Sequence, residues 1–522
     1  MGFSTFARAA VLLAAAFALF AGAPAQAEWR KAESPHFIVY GDTSEGALRN
    51  YVRKIERFDA VLRLYMPPRS TITPPPLSVY LANGPTEMRK AWPTAAEGVG
   101  GFYSAGPERI FAVVTGRGGQ EDTTLFHEYG HHYMFQNFAG AYPAWFVEGF
   151  AEYFATAEVN NDRIVIGMHN PGRMNSLTSS AWLPMETILG SRTSTLTRSQ
   201  GPTYYAQAWA VTHYLMSTPE RQAMLGRYLA AVADGENSAT AFTAATGRSL
   251  REFEGDLRTY MFRIETRIPQ VQMPSVEVRI TTLPPSTRDL IWLDLRLARF
   301  VPEEARAANL AEAQAAAARY PGDAFAGRVV AMAALDMKQP DVAMAALDPV
   351  LAAHPDDAEA LRWQAIAMMD KADALEDQGS NQRLALYVEA ETALGRALAL
   401  NGRDYRVYAA LARNRADEPD YPNDNDLQIL RVAAALAPQV EDVRFKAAQA
   451  MMQRALYEDA VVYLAPIANN PHGGEKRDGV RAMLAQARER LGQAPRDDER
   501  EDGAGPPVDD EDADAGGASA EG

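Results

Sequence analysis

Leu125-Phe126-His127-Glu128-Tyr129-Gly130-His131 reads H-E-x-x-H inside an apolar run of helical character. Residues i and i+4 of an α-helix differ by about 40° in azimuth and one turn in height, so both imidazoles face one point. That geometry suits two neutral imidazole nitrogens to two corners of a Zn²⁺ tetrahedron. Glu128, one position on, leans beside the metal, where it can take a proton from water. The chain has eight histidines in 522 residues, so two at this spacing around a glutamate carry information. The plain alternative is two polar residues on the outer face of a helix. His132 projects about 100° from His131 and is read as a supporting or surface residue rather than a ligand.

Downstream, Pro143-Ala144-Trp145-Phe146-Val147-Glu148-Gly149-Phe150-Ala151-Glu152-Tyr153-Phe154 puts two carboxylates at i and i+4 in an otherwise apolar helix. Glutamates on an apolar face are costly unless they are paired or bound to a metal. The segment resembles the W-x-x-E-G-x-A-x-Y-F stretch of the gluzincin zinc metallopeptidases, the group that includes thermolysin and the aminopeptidase-N family. The resemblance implies that Glu148 is the third zinc ligand and that Glu152 orients the first ligand histidine from behind. Many gluzincins carry Asp where this chain has Glu152. Sixteen residues separate His131 from Glu148, slightly fewer than the aminopeptidase spacing. The stretch His132-Tyr133-Met134-Phe135-Gln136-Asn137 lacks the further Gly and His of the longer metzincin motif.

Hydrolysis at such a centre also needs a donor to the oxyanion that forms at the carbonyl. Gly201-Pro202-Thr203-Tyr204-Tyr205-Ala206-Gln207-Ala208 is similar to the Y-x-K-G segment of aminopeptidase-like gluzincins, and the resemblance gives Tyr205 that role. Gln207 stands where the family has Lys, and Ala208 where it has Gly. The competing reading is that Tyr204, Tyr205 and Trp209 are the packed start of a helix. His213, about two turns on, is read as a satisfied core or surface histidine.

At the N-terminus Arg8 precedes the apolar run Ala9 to Ala21, and Ala25-Gln26-Ala27 offers an A-x-A cleavage site, the pattern of a secretory signal peptide over residues 1–27. The expected protein is exported, periplasmic or secreted, with no stable membrane span after cleavage. It has no cysteine, so neither lipoprotein attachment nor a disulfide is available. Formal charge is −16, of which residues 496–522 contribute −9 through eleven acids and two arginines. That Gly- and Ala-rich acidic tail cannot bury enough apolar surface to order itself, and the acidic balance argues against a nucleic-acid partner.

Residues 28–275 read as one α+β domain. A strand follows Pro35, an amphipathic helix spans about Gly46–Tyr65, and Leu77–Leu81 is a second strand. This opening resembles the small gluzincin-like domains called peptidase MA-like. Arg109–Val114 is a third strand, and the resemblance implies that it forms the sheet edge that pairs with extended substrate. Gly116-Arg117-Gly118-Gly119 lacks the Lys-Ser/Thr of a phosphate cradle and reads as a loop. After Ser180 helical periodicity dominates to about Arg267.

Beyond residue 300 the chain changes character, becoming Ala-rich with helical spacing, and residues 280–495 read as the repeat region. Tyr320-Pro321-Gly322-Asp323-Ala324 and His354-Pro355-Asp356-Asp357-Ala358 lie 34 residues apart, and Ala437-Pro438 and Asn470-Pro471 lie 33 apart. Period and boundaries resemble tetratricopeptide (TPR) repeats, although residues 371–430 do not hold the register. A generic helical array is the alternative. The expected whole is a thermolysin/gluzincin-like domain followed by an all-α TPR-like solenoid and a disordered tail. The function it implies is an exported zinc-dependent peptidase working through metal-activated water on a peptide or protein substrate, with the repeats docking a protein partner. The competing class is a catalytically silent zinc-binding scaffold for protein–protein interaction. No G-x-M-E-N segment, which grips the substrate amine in aminopeptidases, is present, so an endopeptidase is favoured over an exopeptidase.

Overall fold

The computed structural model describes residues 28–493, apart from 69, 71, 96–98, 116–120, 139, 141, 161–162, 192–194, 270–274, 377–379 and 469–476. The signal peptide, the 116–119 loop, the 470–471 boundary and the acidic tail expected from the sequence lie outside the described residues.

The chain begins with β1 (Arg30–Glu33), β2 (Phe37–Gly41) and α1 (Glu45–Tyr65), then β3 (Leu77–Ala82), α2 (Pro85–Ala91), β4 (Gly101–Ala105) and β5 (Ile110–Thr115). Ser44 caps α1 by accepting from the Ala47 amide, so the helix begins at Glu45, one residue before the expected start. There follow α3 (Glu121–Asn137), α4 (Ala144–Ala155), a small hairpin of β6 (Glu158–Val159) and β7 (Ile164–Val165), α5 (Pro171–Ser179), α6 (Met185–Gly190), α7 (Gly201–Met216), α8 (Pro219–Ala233), α9 (Ser238–Thr246) and α10 (Leu250–Tyr260). β8 (Arg279–Thr282) and α11 (Thr287–Leu297) lead into the array.

Six strands form one sheet in the order β4-β5-β3-β2-β1-β8. β2, β3 and β5 run parallel to their neighbours in that group, while β4, β1 and β8 are added antiparallel. Alternation decides the two faces. Phe37, Val39, Leu77, Val79, Ala112 and Val114 enter one core with α1, α3, α4 and α7. Tyr80, Phe111 and Val113 enter another with α11 and the first helices of the array. The sheet's two edges are β4 and β8, and the Arg109–Val114 strand expected at the edge is interior, paired with β3 on one side and β4 on the other. β4 is short and starts at a glycine whose missing side chain admits it: a Cβ on Gly101 would stand 2.6 Å from the Val113 carbonyl oxygen.

The array consists of α12 (Glu303–Ala317), α13 (Ala324–Asp336), α14 (Pro340–Ala353), α15 (Ala358–Asp373), α16 (Asn381–Leu400), α17 (Tyr405–Asn414), α18 (Asp424–Leu436), α19 (Glu441–Gln453), α20 (Tyr457–Ala468) and α21 (Arg477–Arg490). The repeated boundaries are helix N-caps: Asp323 accepts from the Ala326 amide at 2.9 Å and Asp357 from the Ala360 amide at 3.0 Å. The register slips where the sequence loses it, because α16 runs 20 residues and the next aspartate cap, Asp404, begins α17. No helix among the described residues is long and apolar enough to cross a membrane.

A division at 275–280 does not separate two independent cores. β8 lies beyond it yet extends the sheet beside β1, and Trp29 meets Trp292 of α11 edge-on at 5.5 Å. A sheet with apolar side chains on both faces needs a layer on each, and the array supplies the second.

Close helix packing fixes the other layer. A Cβ on Gly130 of α3 would lie 3.2 Å from the Ala151 backbone of α4. One on Gly149 of α4 would lie 2.2 Å from the Thr212 hydroxyl and 2.4 Å from the Ala208 carbonyl of α7. Gly149→Ala is therefore expected to destabilise by about 1–3 kcal/mol, the usual range for forced overpacking. Calorimetry should show a lower melting temperature, and an unchanged one would mean that the helices are free to separate.

In the array, burial pushes Asp336 up to about 6, with nearby Glu108 adding to the effect and Arg306 opposing it. A carboxyl whose folded pKa is raised costs stability once it ionises, so the cost is absent below about pH 4 and complete above about pH 6. Asp336→Asn should raise stability by on the order of 1–3 kcal/mol at pH 7 and by little at pH 4, measured by urea unfolding at the two pH values.

Candidate metal centre

α4 is buried along its whole length. Its sequence is apolar on every side, the pattern of a core helix, and it nevertheless carries Glu148 and Glu152. α3 packs across it, and the Gly130–Ala151 contact brings the two backbones close enough for side chains from both helices to converge.

His127, His131 and Glu148 meet there. The two Nε2 atoms stand 3.0 Å apart, and Glu148 Oε2 lies 3.6 Å from His127 Nε2 and 3.5 Å from His131 Nε2. A tetrahedral zinc with ligands at 2.0–2.1 Å holds its donor atoms roughly 3.3 Å from one another, so these separations bracket what the ion needs. Two imidazole nitrogens and a carboxylate oxygen are also a donor set that zinc accepts in hydrolases. The residues fit the metal.

Glu152 sits behind the first histidine, its Oε1 3.4 Å from His127 Nδ1. Arg173, the third residue of α5, grips the same carboxylate with Nη2 at 2.7 Å and Nε at 3.1 Å. Its guanidinium also lies over the Tyr205 ring, 5.2 Å from the centroid. Burial alone opposes charging His127, but Glu148, Glu152 and Glu128 outweigh it and push the imidazole up to about 9. The pocket is an anionic hole in an apolar layer, which is the field a cation requires. Glu128 is buried beside it.

α7 brings Tyr205 to this side. Burial, then the charges of Glu148 and Glu152, hold its phenol well above the ordinary value, so its hydroxyl stays protonated. Tyr204 is a packing residue whose hydroxyl donates to the Ser191 carbonyl at 3.3 Å. Gln207, in the place of the family lysine, plays a structural part, accepting from the Leu183 amide and donating to the Leu183 carbonyl. His213 is satisfied away from the centre. Its Nε2 faces the Gly167 carbonyl at 2.9 Å and must carry the hydrogen, which leaves Nδ1 to accept from the Tyr260 hydroxyl at 2.7 Å. His132 turns toward β4, its Nδ1 3.1 Å from the Tyr103 hydroxyl, and burial pushes it down to about 3.

The fold also assembles His36, Glu56 and Asp59, whose donor atoms approach as closely as a metal site requires. Here the protein itself engages one of the carboxylates, because Arg63 pairs with Asp59 Oδ2 and the Tyr129 hydroxyl donates to Oδ1 at 2.6 Å. This cluster ties α1 to α3 through the Tyr129–Asp59 hydrogen bond. Sequence reasoning missed it, as it missed Arg173. Asn170-Pro171 marks the start of α5, but the carboxylate that Arg173 reaches lies 21 residues away and only the fold identifies it.

The family model described as "Protein of unknown function (DUF1570)" matches residues 122–234, which include every residue of the centre. No curated protein matches the chain. Among solved structures, the chain is similar to TTC0263, a thermophilic TPR protein in Thermus thermophilus, at 18% identity over 35% of this chain and 90% of that one, with a TM-score of 0.30. It is also similar to MamA, at 15% identity over 33% of this chain and 96% of that one, with a TM-score of 0.25.

Proposed function

We propose that this chain is a zinc-dependent endopeptidase whose metal is held by His127, His131 and Glu148. The observation that carries the reading is the convergence of those three donor groups, at 3.0–3.6 Å, beside the buried Glu128. Zinc in such a site supplies a Lewis acid for the substrate carbonyl and lowers the pKa of water. Glu128 accepts the proton that water loses and passes it to the leaving amine, which completes cleavage of the peptide bond. Tyr205, kept protonated by its surroundings, donates to the oxyanion. Glu152 fixes the His127 ring from its Nδ1 side, and Arg173 fixes Glu152. β4 is one of the two terminal strands of the described sheet and is the one packed along α3, so its outer edge can receive an extended substrate segment. The signal-like pattern of residues 1–27 supports a periplasmic or exterior setting for this activity.

The second reading, a zinc-binding scaffold for protein partners, is favoured by the extent of the array, which occupies the chain from α12 to α21. The two readings part on turnover. Purified mature protein should hold about one zinc per chain by elemental analysis, and His131→Ala should lose most of it. Glu128→Gln should keep the metal while hydrolysis of casein falls by about 10²–10⁴-fold. A zinc-loaded wild type with no turnover on casein or a peptide library would favour the scaffold.

The orienting role of Glu152 has its own readout. Glu152→Ala is expected to weaken zinc affinity by about 10–100-fold in competition with a chelator. Unchanged affinity would remove Glu152 from the centre.

A further inference from the structure

The face that the array turns toward the sheet is already occupied. The first helix of successive pairs presents its N-terminal turn there, and the turn Gly106-Pro107-Glu108-Arg109 between β4 and β5 is seated against those turns. Its contacts are of the kind a bound peptide makes. The Tyr405 hydroxyl donates to the Gly106 carbonyl at 2.9 Å, and Arg406 Nη1 to the Glu108 carbonyl at 3.2 Å. Arg362 Nη1 donates to the Glu108 carboxylate at 2.9 Å. Arg109 pairs in turn with Asp294 of α11.

These receptors are held in place before they meet the turn. Arg362 is 1% exposed, its guanidinium 3.9 Å above the Trp363 ring and paired with Glu359. Arg406 is bound by both carboxylate oxygens of Glu359 and both of Asp404. Side chains locked by their own partners give up little freedom when they bind a ligand, and an acidic residue at helix N-termini is favoured by the exposed amide dipoles.

The array also reaches the metal helix. Gln439 Nε2 donates to Gln136 Oε1 at 2.7 Å, and Gln136 Nε2 to the Leu436 carbonyl at 3.3 Å. Between these two anchors lies β4, tied to α3 through Tyr103 and His132. A terminal strand has ladder partners on one side only, so its position depends on what holds its ends.

We propose that Arg362, Tyr405 and Arg406 are positioning residues: the array clamps the β4–β5 turn in cis and thereby fixes the free edge of β4 beside the H-E-x-x-H helix. The consequence for turnover rests on the peptidase reading, whereas the clamp itself does not. The array is then part of the cleft's architecture, and an extended substrate meets an edge whose geometry is set from outside the metal-binding layer.

The test uses the full mature chain with Glu108→Gln, Tyr405→Phe and the double variant, each loaded with zinc. Tyr405→Phe removes one hydroxyl and keeps the ring, so it retains a folded protein if the Glu108 variants do not. Amide hydrogen exchange over residues 101–105 should be faster by about tenfold in the double variant, with residues 77–82 of β3 unchanged. The KM for an extended quenched peptide should rise by several-fold with zinc content constant, and kcat should change less. Unaltered exchange at residues 101–105 in the double variant overturns the clamp. Faster exchange with an unaltered KM in an active enzyme overturns the positioning role. If the wild type turns over no peptide, the peptidase reading fails, and the exchange result still decides whether the clamp exists.

Discussion

Two glutamates inside a wholly buried helix set the terms for everything packed around them. Glu148 and Glu152 project from α4 within a layer whose core is aromatic and aliphatic, where an uncompensated carboxylate costs several kcal/mol. The fold answers with close helix crossings. Gly130 lets α3 approach near enough for two imidazoles to reach Glu148, and Gly149 lets α7 approach from the other side. Larger residues at these crossings would push the helices apart and leave the carboxylates facing hydrocarbon. Helix packing and site chemistry are thus one constraint.

Compensation is divided unequally. Glu152 has a bidentate arginine, so its charge is balanced by the protein itself. Glu148 lies between imidazoles, and the same carboxylates raise His127 despite its burial. The His36–Glu56–Asp59 cluster is an internal comparison. It also gathers close donors, but one of them, Asp59, is paired with an arginine. In the first group an arginine engages the glutamate behind a ligand, and in the second it engages one of the clustered carboxylates itself.

The helical array stands in an unexpected relation to this layer. Sequence periodicity suggests an appended module, yet its first helices share a core with Trp29, Tyr80 and Phe111 of the sheet. Its arginines meet a turn of the sheet about 250 to 300 residues earlier in the chain. The sheet's second face is apolar and is covered by these helices, so the array is as much a structural layer of the sheet domain as a repeat region.

Local and periodic features were readable from the amino acids alone. H-E-x-x-H placed two histidines on one helical face because 3.6 residues make a turn, and the apolar run around Glu148 marked a core helix. The strands β2 and β3, the helix α1 and the aspartate caps of the array were legible for the same reason, since each depends on neighbours within a few residues. The resemblance, rather than the spacing, chose Glu148 as the partner of the histidines, and the structure brings it there. It took the folded arrangement to establish that β4 rather than β5 lies at an edge, that Arg173 holds Glu152, that Gln207 serves a loop, and that the array covers the sheet. Each of these depends on groups distant in the chain, whose meeting is set by the register of strands and the crossing of helices. A sequence pattern records which face of an element is apolar, but not which other element will cover it.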